Sequence, residues 1–509
     1  MNIRIKVHSN GQNNHKTILL KVKELDIKEC FHYDHTDEES IMVRAKMLKE
    51  KKLGYIFDNT PLDKENENLK NKGMVGNFIQ KNWFGIPPNN SPEPDFEEAG
   101  IELKCCPIIQ KKTKGKETDQ RTKISSINYF ELVDETWLNS HAKKKLNKVL
   151  FVFHERIDDL KKWKKTEVLD VALWVLSDQD KFNLIEKDWL KANNAVKHGL
   201  AHILSESYFS ILKTSRAGSG GVNKYGIHKD LVKQPVTTFS TYAMKRAFSI
   251  DKNYTTQFWN EIRQPKSFES IKDSLNISKT ESYRDAFIKS FNPFIGKTIG
   301  EISEMSNIPV PTAKSATATI VGIMVGFKRL NSKIKEFSQL GITIKTVPIR
   351  TEDKTLFEAI SFPSFVIKEF IQEDWEDSTF LNYLNKIIFV PFSRKNRTEA
   401  LENRVLEKPF FWSPTPSQLE LIRTEWELYK KELSQKIIIE KIPSKNTKGY
   451  REKIINLSKE KDTNAIHIRP HGKDSNDRDE YNYETSVIKQ SFWLNKKFVK
   501  KLVLDSLND

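Results

Sequence analysis

Three cysteines among 509 residues, Cys30 and the neighbours Cys105 and Cys106, are too few and too poorly spaced for a disulfide framework or a four-ligand zinc site. They read as reduced, small core residues. No run of about 18 apolar residues is present to span a bilayer, and Met1 to Gly11 lacks the apolar stretch of a secretory signal. A cytoplasmic protein with no membrane partner is expected. A phosphate-binding P-loop is missing as well, which removes ATP-driven translocation, and so is the strand, turn and helix context of a dinucleotide loop. Nothing points to methyl transfer. Acidic residues are in deficit, 68 against 84 Lys and Arg, leaving a formal charge of +16. That surplus favours a polyanionic partner, nucleic acid first, through phosphate contact and counterion release; it is equally compatible with a merely soluble basic surface.

Core-forming material is ample, with 38% hydrophobic residues, ten Trp and thirty Phe. The chain is longer than one hydrophobic core usually supports, so two or three domains are expected. An internal repeat supplies them. Residues 95–108 read D-F-E-E-A-G-I-E-L-K-C-C-P-I, and residues 336–349 read E-F-S-Q-L-G-I-T-I-K-T-V-P-I, without a gap. Further matches follow in the same order: Leu146 to Val152 with Leu384 to Val390, Trp174 and Trp189 with Trp412 and Trp426, and Phe248 to Tyr254 with Phe492 to Phe498. Two homologous domains are therefore expected at 60–265 and 285–509, with 266–284 as linker and 1–59 as an extension. Within the extension the run T-I-L-L-K-V-K-E-L reads as a strand. Short β-branched apolar runs such as Val149 to Phe153 alternate with longer amphipathic stretches, the pattern of a mixed α/β core.

In Gly100-Ile-Glu-Leu-Lys104 apolar and charged residues alternate, so on a strand Ile101 and Leu103 face the core while Glu102 and Lys104 share the other face. Asp95 follows a turn-rich run, P-P-N-N-S-P-E-P-D, from which it can return to the same surface. An Asp and a Glu can hold a hard cation such as Mg²⁺ while leaving positions for a phosphate oxygen and a nucleophilic water. A lysine beside them can orient that water and stabilise a pentavalent phosphorus centre. Alone, this alternation is more often a solvated face.

The longer run P-D-F-E-E-A-G-I-E-L-K, preceded by G-N-F-I-Q-K-N-W-F-G at 76–85, resembles the MutH/Sau3AI family of PD-(D/E)XK nucleases, over most of both halves. The resemblance implies two tandem restriction-endonuclease folds, each a central mixed β-sheet flanked by helices. It places the catalytic Asp, Glu-x-Lys set on Asp95, Glu102 and Lys104, with Asp95 and Glu102 as Mg²⁺ ligands. A further catalytic lysine falls on Lys145, within W-x-x-S-H-x-x-x-K-L-x-x-V-L at 137–150; otherwise Lys145 reads as part of a solvated basic run. Where the family carries a Glu four residues after the position of Gly76, this chain has Gln80, which can accept through its carbonyl but brings no charge to a metal. Gln80 equally fits an ordinary helix surface. In the second copy the same positions are Val321, Glu336, Thr343, Lys345 and Tyr383, and a Thr hydroxyl does not replace a carboxylate ligand, so that copy is expected to be catalytically silent.

Tandem copies, the first intact and the second degraded, resemble the Sau3AI branch of GATC-cutting restriction enzymes, in which the second domain binds another site as an effector. What this implies is a type II enzyme hydrolysing double-stranded DNA to 5′-phosphate and 3′-hydroxyl ends. A methyltransferase acting on the same site would accompany it, and looping would bring two chains together on DNA. The alternatives are a methyl-directed nicking enzyme of the mismatch-repair type and a non-catalytic DNA-binding regulator. For reading bases, the family uses a loop after a strand, often with Arg-Pro. In the C-terminal half this falls on Arg469, Pro470 and His471, and in the N-terminal half on Lys213, Thr214, Ser215 and Arg216. The glycines at 218–221 let that loop enter a groove or else form a flexible linker. Lys252, Lys496 and Lys497 are candidate phosphate contacts.

Overall fold

The computed structural model describes residues 2–4, 19–21, 33–59, 74–89, 91–111, 115–157, 159–176, 179–218, 220–221, 223, 227–264, 268–271, 275, 282–310, 316–326, 333–375, 378–384, 386–443, 450–472, 474, 476–481 and 486–508. Cys30 lies outside them. They divide into two compact units, the first made of residues 1–109, 118–201 and 216–249, the second of 110–117, 202–215 and 250–509. Among the described residues no helix is long and apolar enough to cross a membrane.

The first unit opens with two short antiparallel strands, β1 (Asn2–Arg4) and β2 (Leu19–Lys21), the latter inside the run expected to be a strand. Three helices follow, α1 (Glu38–Lys46), α2 (Leu53–Asn59) and α3 (Met74–Asn82). Asp37 starts α1 by accepting from the Ser40 amide, which satisfies one of the donors that a helix N-terminus leaves open. In α3, Val75, Phe78 and Ile79 recur at helical spacing on one buried face. That face packs with Ile41, Ala45 and Leu48 around α1, with Leu53 and Ile56 of α2, and with the sheet. Part of the sequence extension thus lies inside the core.

The sheet is built on β3 (Ile101–Lys111), flanked by the short strand Gly115–Thr118; along the chain follow β4 (Thr122–Ser126), which lies in a different sheet, α4 (His141–Leu146), then β5 (Lys148–Glu155) and β6 (Val168–Val175) of the first sheet, and α5 (Gln179–Lys197). β3 runs parallel to β5, and β5 runs antiparallel to β6. Val149 to Phe153 are all buried, because β5 is covered on both faces and needs no polar alternation.

The second unit repeats these elements. Its described parts include α6 (Lys252–Arg263), α7 (Ala316–Met324), β7 (Thr343–Arg350), β8 (Ile387–Arg394), β9 (Phe410–Trp412), α8 (Pro416–Ser434), β10 (Ile466–Pro470), β11 (Gln490–Leu494) and α9 (Lys496–Asn508). β7 is parallel to β8 and β8 antiparallel to β9. The register agrees residue for residue with the sequence repeat. Glu102 pairs with Val149, which pairs with Trp174, and the equivalent Thr343 pairs with Ile387, which pairs with Trp412. Since a slip of one residue would turn every side chain to the opposite face, shared register means shared architecture. Trp189 and Trp426 are likewise both buried, each in a helix of 19 residues. Two apolar clusters hold the unit, one centred on Phe370, Phe380, Trp426 and Phe492, the other on Phe287, Phe291 and Phe337.

Candidate active site

Between Asp95 and β3 the chain turns through Glu97 to Gly100, where Gly100 takes φ +65°, a left-handed value that costs a residue without Cβ little. Phe96 and Ile101 then exchange two backbone hydrogen bonds, of 2.9 and 3.1 Å. This small antiparallel closure brings Asp95 beside Glu102, as the turn-rich sequence predicts. Asp95 Oδ2 accepts from the Leu103 amide at 2.9 Å, and the Asp95 amide donates to Glu102 Oε2 at 3.2 Å. Gln80 reaches the pair from α3, donating from Nε2 to Asp95 Oδ1 at 2.9 Å. It is therefore part of the cluster and not a free helix-surface residue.

Ser140 caps α4, accepting from the Lys143 amide and donating to the Trp137 carbonyl. Its helical spacing puts His141 and Lys145 on one face. Lys145 Nζ lies 3.2 Å from both Glu102 oxygens, and Lys104 Nζ donates to Glu102 Oε1. All five sequence-predicted residues, Gln80, Asp95, Glu102, Lys104 and Lys145, thus meet. Glu102 departs from expectation in one respect: it is 1% exposed, so its face of β3 is not solvated but forms the floor of a cleft. Burial pushes its carboxyl above the usual carboxylate range, although the Lys104 and Lys145 ammonium groups pull the other way; Asp95 adds to the rise. A carboxylate whose burial cost two ammonium groups do not fully offset gains from a further cation.

Among the described residues no three His, Cys, Asp or Glu side chains converge as a metal cluster. The local donors are two carboxylates and an amide carbonyl, all oxygen, which fits a hard cation that keeps several of its waters. The cleft over them has a volume of about 1470 Å³ and is open, beyond the size of ordinary small-molecule pockets. Its walls carry Arg121 and Lys123 from and beside β4, Arg156, Lys233, Lys245 and His141. These cations escaped the sequence reading, since they come from separate segments and form no local run; only S-H-x-x-x-K hinted at His141. His141 Nδ1 lies 2.8 Å from Glu135 Oε1. Burial, opposed by the neighbouring Lys104 ammonium, pushes the Cys105 thiol up, and the Cys106 thiol rises to about 12 for the same leading reason, so neither is a nucleophile.

His154, 3% exposed beneath the cleft, places Nδ1 2.7 Å from the Glu155 carbonyl. Burial pushes it down from 6.5 to about 4. Folding therefore favours its neutral form, whereas the unfolded chain binds the proton below its ordinary value. Its contribution is complete above about pH 6.5 and is lost as the pH falls towards about 4. At the acid end the loss is about 3 kcal/mol. Urea midpoints measured across that window should fall in the wild type and flatten in His154→Gln.

The candidate DNA-reading residues are placed less uniformly. Lys213, Thr214 and Ser215 lie in the strand Leu212–Arg216 and are buried, with Lys213 Nζ 2.9 Å from Asp251 Oδ2; only Arg216 of this run is exposed. The run looks polar in sequence, but the Asp251 carboxylate neutralises its lysine inside the fold. Lys252 is ion-paired with Glu117 at 2.8 Å. Arg469 stacks over the Trp493 ring at 3.5 Å, with Pro470 and His471 exposed beyond it. Lys496 and Lys497 start α9, half-buried and exposed respectively.

Comparison with known proteins finds relatives over both halves of the chain. The sequence pattern described as "DNA mismatch repair enzyme MutH" matches twice, at residues 84–188 and 325–425. Both halves of the chain are thus similar to the MutH/Sau3AI family. The type II restriction enzyme Sau3AI of Staphylococcus aureus is 27% identical over 481 residues, 87% of this chain and 94% of that protein. The DNA mismatch repair protein MutH of Haemophilus influenzae (strain 86-028NP) is 29% identical over 152 residues, 29% of this chain and 65% of its own length. MutH of Yersinia enterocolitica is 27% identical over 226 residues, 43% of this chain and 91% of that protein.

The second copy keeps the frame and places different side chains at the equivalent positions. Gly341 repeats the left-handed turn at φ +66°. Glu336, at the Asp95 position, is buried and accepts from Ser270 Oγ at 2.5 Å and the Ile271 amide at 2.9 Å. Val321, in place of Gln80, joins an apolar cluster. With Thr343 in place of Glu102, Lys345 donates to the Ser361 carbonyl at 2.6 Å and lies 5.0 Å from the Phe362 ring centre, and burial pushes it down to about 8. Tyr383, at the Lys145 position, packs 6.2 Å from the same ring.

Proposed function

We propose that this chain is a type II restriction endonuclease that hydrolyses both strands of DNA at a short palindrome, GATC, leaving 5′-phosphate and 3′-hydroxyl ends. The observation that carries the reading is the meeting of Gln80, Asp95, Glu102, Lys104 and Lys145 on the floor of an open cleft with cationic walls, in the first copy alone. A nuclease acting on DNA follows from the family; the site, the cation and the second copy's role are the finer claims.

Asp95 and Glu102 would hold Mg²⁺, which when bound supplies Lewis acidity towards the phosphate and lowers the pKa of its water. The protein supplies orientation and charge. Gln80 and the Leu103 amide fix the two Asp95 oxygens, so the carboxylate is held before substrate arrives. Lys104 Nζ, in the cleft wall, orients the attacking water and stabilises charge on the phosphoryl oxygens. Lys145 Nζ spans both Glu102 oxygens and offsets part of the cost of burying that carboxylate's charge. Arg121, Lys123, Lys233 and Lys245 receive neighbouring phosphates without selecting sequence. The second copy, catalytically silent, binds another GATC as an effector, with Arg469, Pro470 and His471 at its exposed strand end. A methyltransferase protecting the same site is the expected companion, and binding of two sites would loop the DNA.

Plasmids carrying one or two GATC sequences test this. The account expects Mg²⁺-dependent linear product with defined ends, and cutting of the two-site plasmid several-fold faster. Nicked circles alone would replace it with a nicking enzyme, bound but intact DNA with a regulator, and equal rates would remove the effector.

A further inference from the structure

One wall of the cleft includes a hairpin whose tip is pinned and carries an exposed phenylalanine. Its strands, Leu231–Lys233 and Tyr242–Met244, are antiparallel, with Tyr242 opposite Lys233. Phe239 is 65% exposed and Tyr242 48%, with Ile227 at 54% and Leu231 at 37% nearby. So many large exposed apolar groups in one short stretch mark an interaction surface.

The loop is not a loose excursion. Gln234, 2% exposed, donates from Nε2 to the Ser240 carbonyl at 2.5 Å and accepts from the Ala201 amide at 3.1 Å. The backbone of Val236 approaches Gly199 so closely that a Cβ there would sit 3.0 Å from the Val236 carbonyl oxygen, and Gly199 also holds φ +73°. Ser240 Oγ donates to the Tyr242 carbonyl at 2.7 Å. A buried glutamine and a glycine contact thus fix the loop while leaving Phe239 in solvent. Cations flank it: Val232, Lys233 and Lys245 line the cleft that holds Glu102.

We infer that this hairpin enters a groove of the duplex beside the scissile phosphate, with Phe239 as an apolar wedge against the bases, Tyr242 beside it, and Lys233 and Lys245 on the flanking phosphates. An exposed Phe and Tyr between lysines suit that partner: an apolar wedge in a groove unstacks a base step while ammonium groups hold the backbone. The preset loop limits the ordering entropy lost on binding. The inference takes its substrate from the nuclease reading and adds how the duplex is gripped.

Fluorescence anisotropy of a labelled GATC duplex with the full chain in Ca²⁺, across a range of KCl, tests it. Phe239→Ala and Tyr242→Ala should each weaken binding about tenfold at every salt concentration, giving lines parallel to wild type. Lys233→Ala with Lys245→Ala should instead flatten the salt slope by about two. Both aromatic positions are exposed, so the variants keep the fold. Unchanged affinity in both aromatic variants, on a duplex that wild type binds, overturns the inference and leaves the nuclease reading standing. A loss confined to single-stranded oligonucleotide overturns it too. If binding behaves as expected and wild type does not cut in Mg²⁺, the hairpin stands and the nuclease reading falls; wild type that binds no duplex removes both.

Discussion

Glu102→Gln should lower cleavage of a GATC plasmid about a thousandfold or more while leaving duplex binding within a few-fold of wild type. Glu102 is 1% exposed and its polar partners are the Asp95 amide, Lys104 and Lys145, so the substitution leaves the cations of the cleft walls, which would meet DNA, in place. The amide is isosteric but cannot supply charge to a cation. It also leaves two ammonium groups facing a neutral carbonyl, so the site turns from balanced to cationic. Losing one preorganised electrostatic group commonly costs a hundred- to a thousandfold, and here the same substitution removes a cation ligand as well. Initial rates of linearisation, with anisotropy in Ca²⁺ as the binding control, read the two effects separately. Cleavage within tenfold of wild type would exclude Glu102 from the chemistry.

Lys145→Met should cut the rate about a hundredfold and also destabilise the fold, a pairing not expected of a surface lysine. Its ammonium lies 3.2 Å from each Glu102 oxygen and is itself buried. Removing Lys145 leaves Lys104 as the one ammonium group facing the buried Glu102 carboxylate, at a cost of about 1 to 3 kcal/mol, below that of a wholly unpaired buried charge. Part of that is recovered because Glu102 can take up a proton. The double variant Lys145→Met, Glu102→Gln should therefore regain most of the lost urea midpoint, since no buried charge is left unpaired, while staying inactive. If the single variant is as stable as wild type, the pair contributes nothing to folding; if the double variant recovers activity, both residues have been misassigned.

The juxtaposition of Asp95, Glu102 and Lys104 was readable from strand and turn patterning, whereas Lys145 and the catalytic roles came from the family resemblance. The alternation in Gly100 to Lys104 and the proline-rich turn before Asp95 follow from strand and turn geometry, and the structure brings those side chains together. What the alternation could not reveal was the depth of Glu102, because the sequence does not say what covers the second face of a strand. The same blindness works in reverse at Lys213 to Ser215, where a polar run is buried because Asp251, far along the chain, supplies the counter-charge. Gln80, which in sequence fitted either the metal site or an ordinary helix surface, donates to Asp95 in the structure. The repeat was legible because Trp174 and Trp412 keep the same strand partners, whereas residues 38–56 carried no repeat signal and still contribute Ile41, Leu48 and Leu53 to the first core. Phe239 left no local signature either: its exposure depends on Gln234 and Gly199 anchoring the loop.

Asp95 and Glu102 would hold a divalent cation between them, and Glu336 and Thr343 would hold none. Anomalous scattering from crystals soaked in manganese measures this directly. A peak at the first pair that disappears in Glu102→Gln, with none at the second, is the predicted result. A peak at Glu336 and Thr343 with the first pair empty would contradict the account.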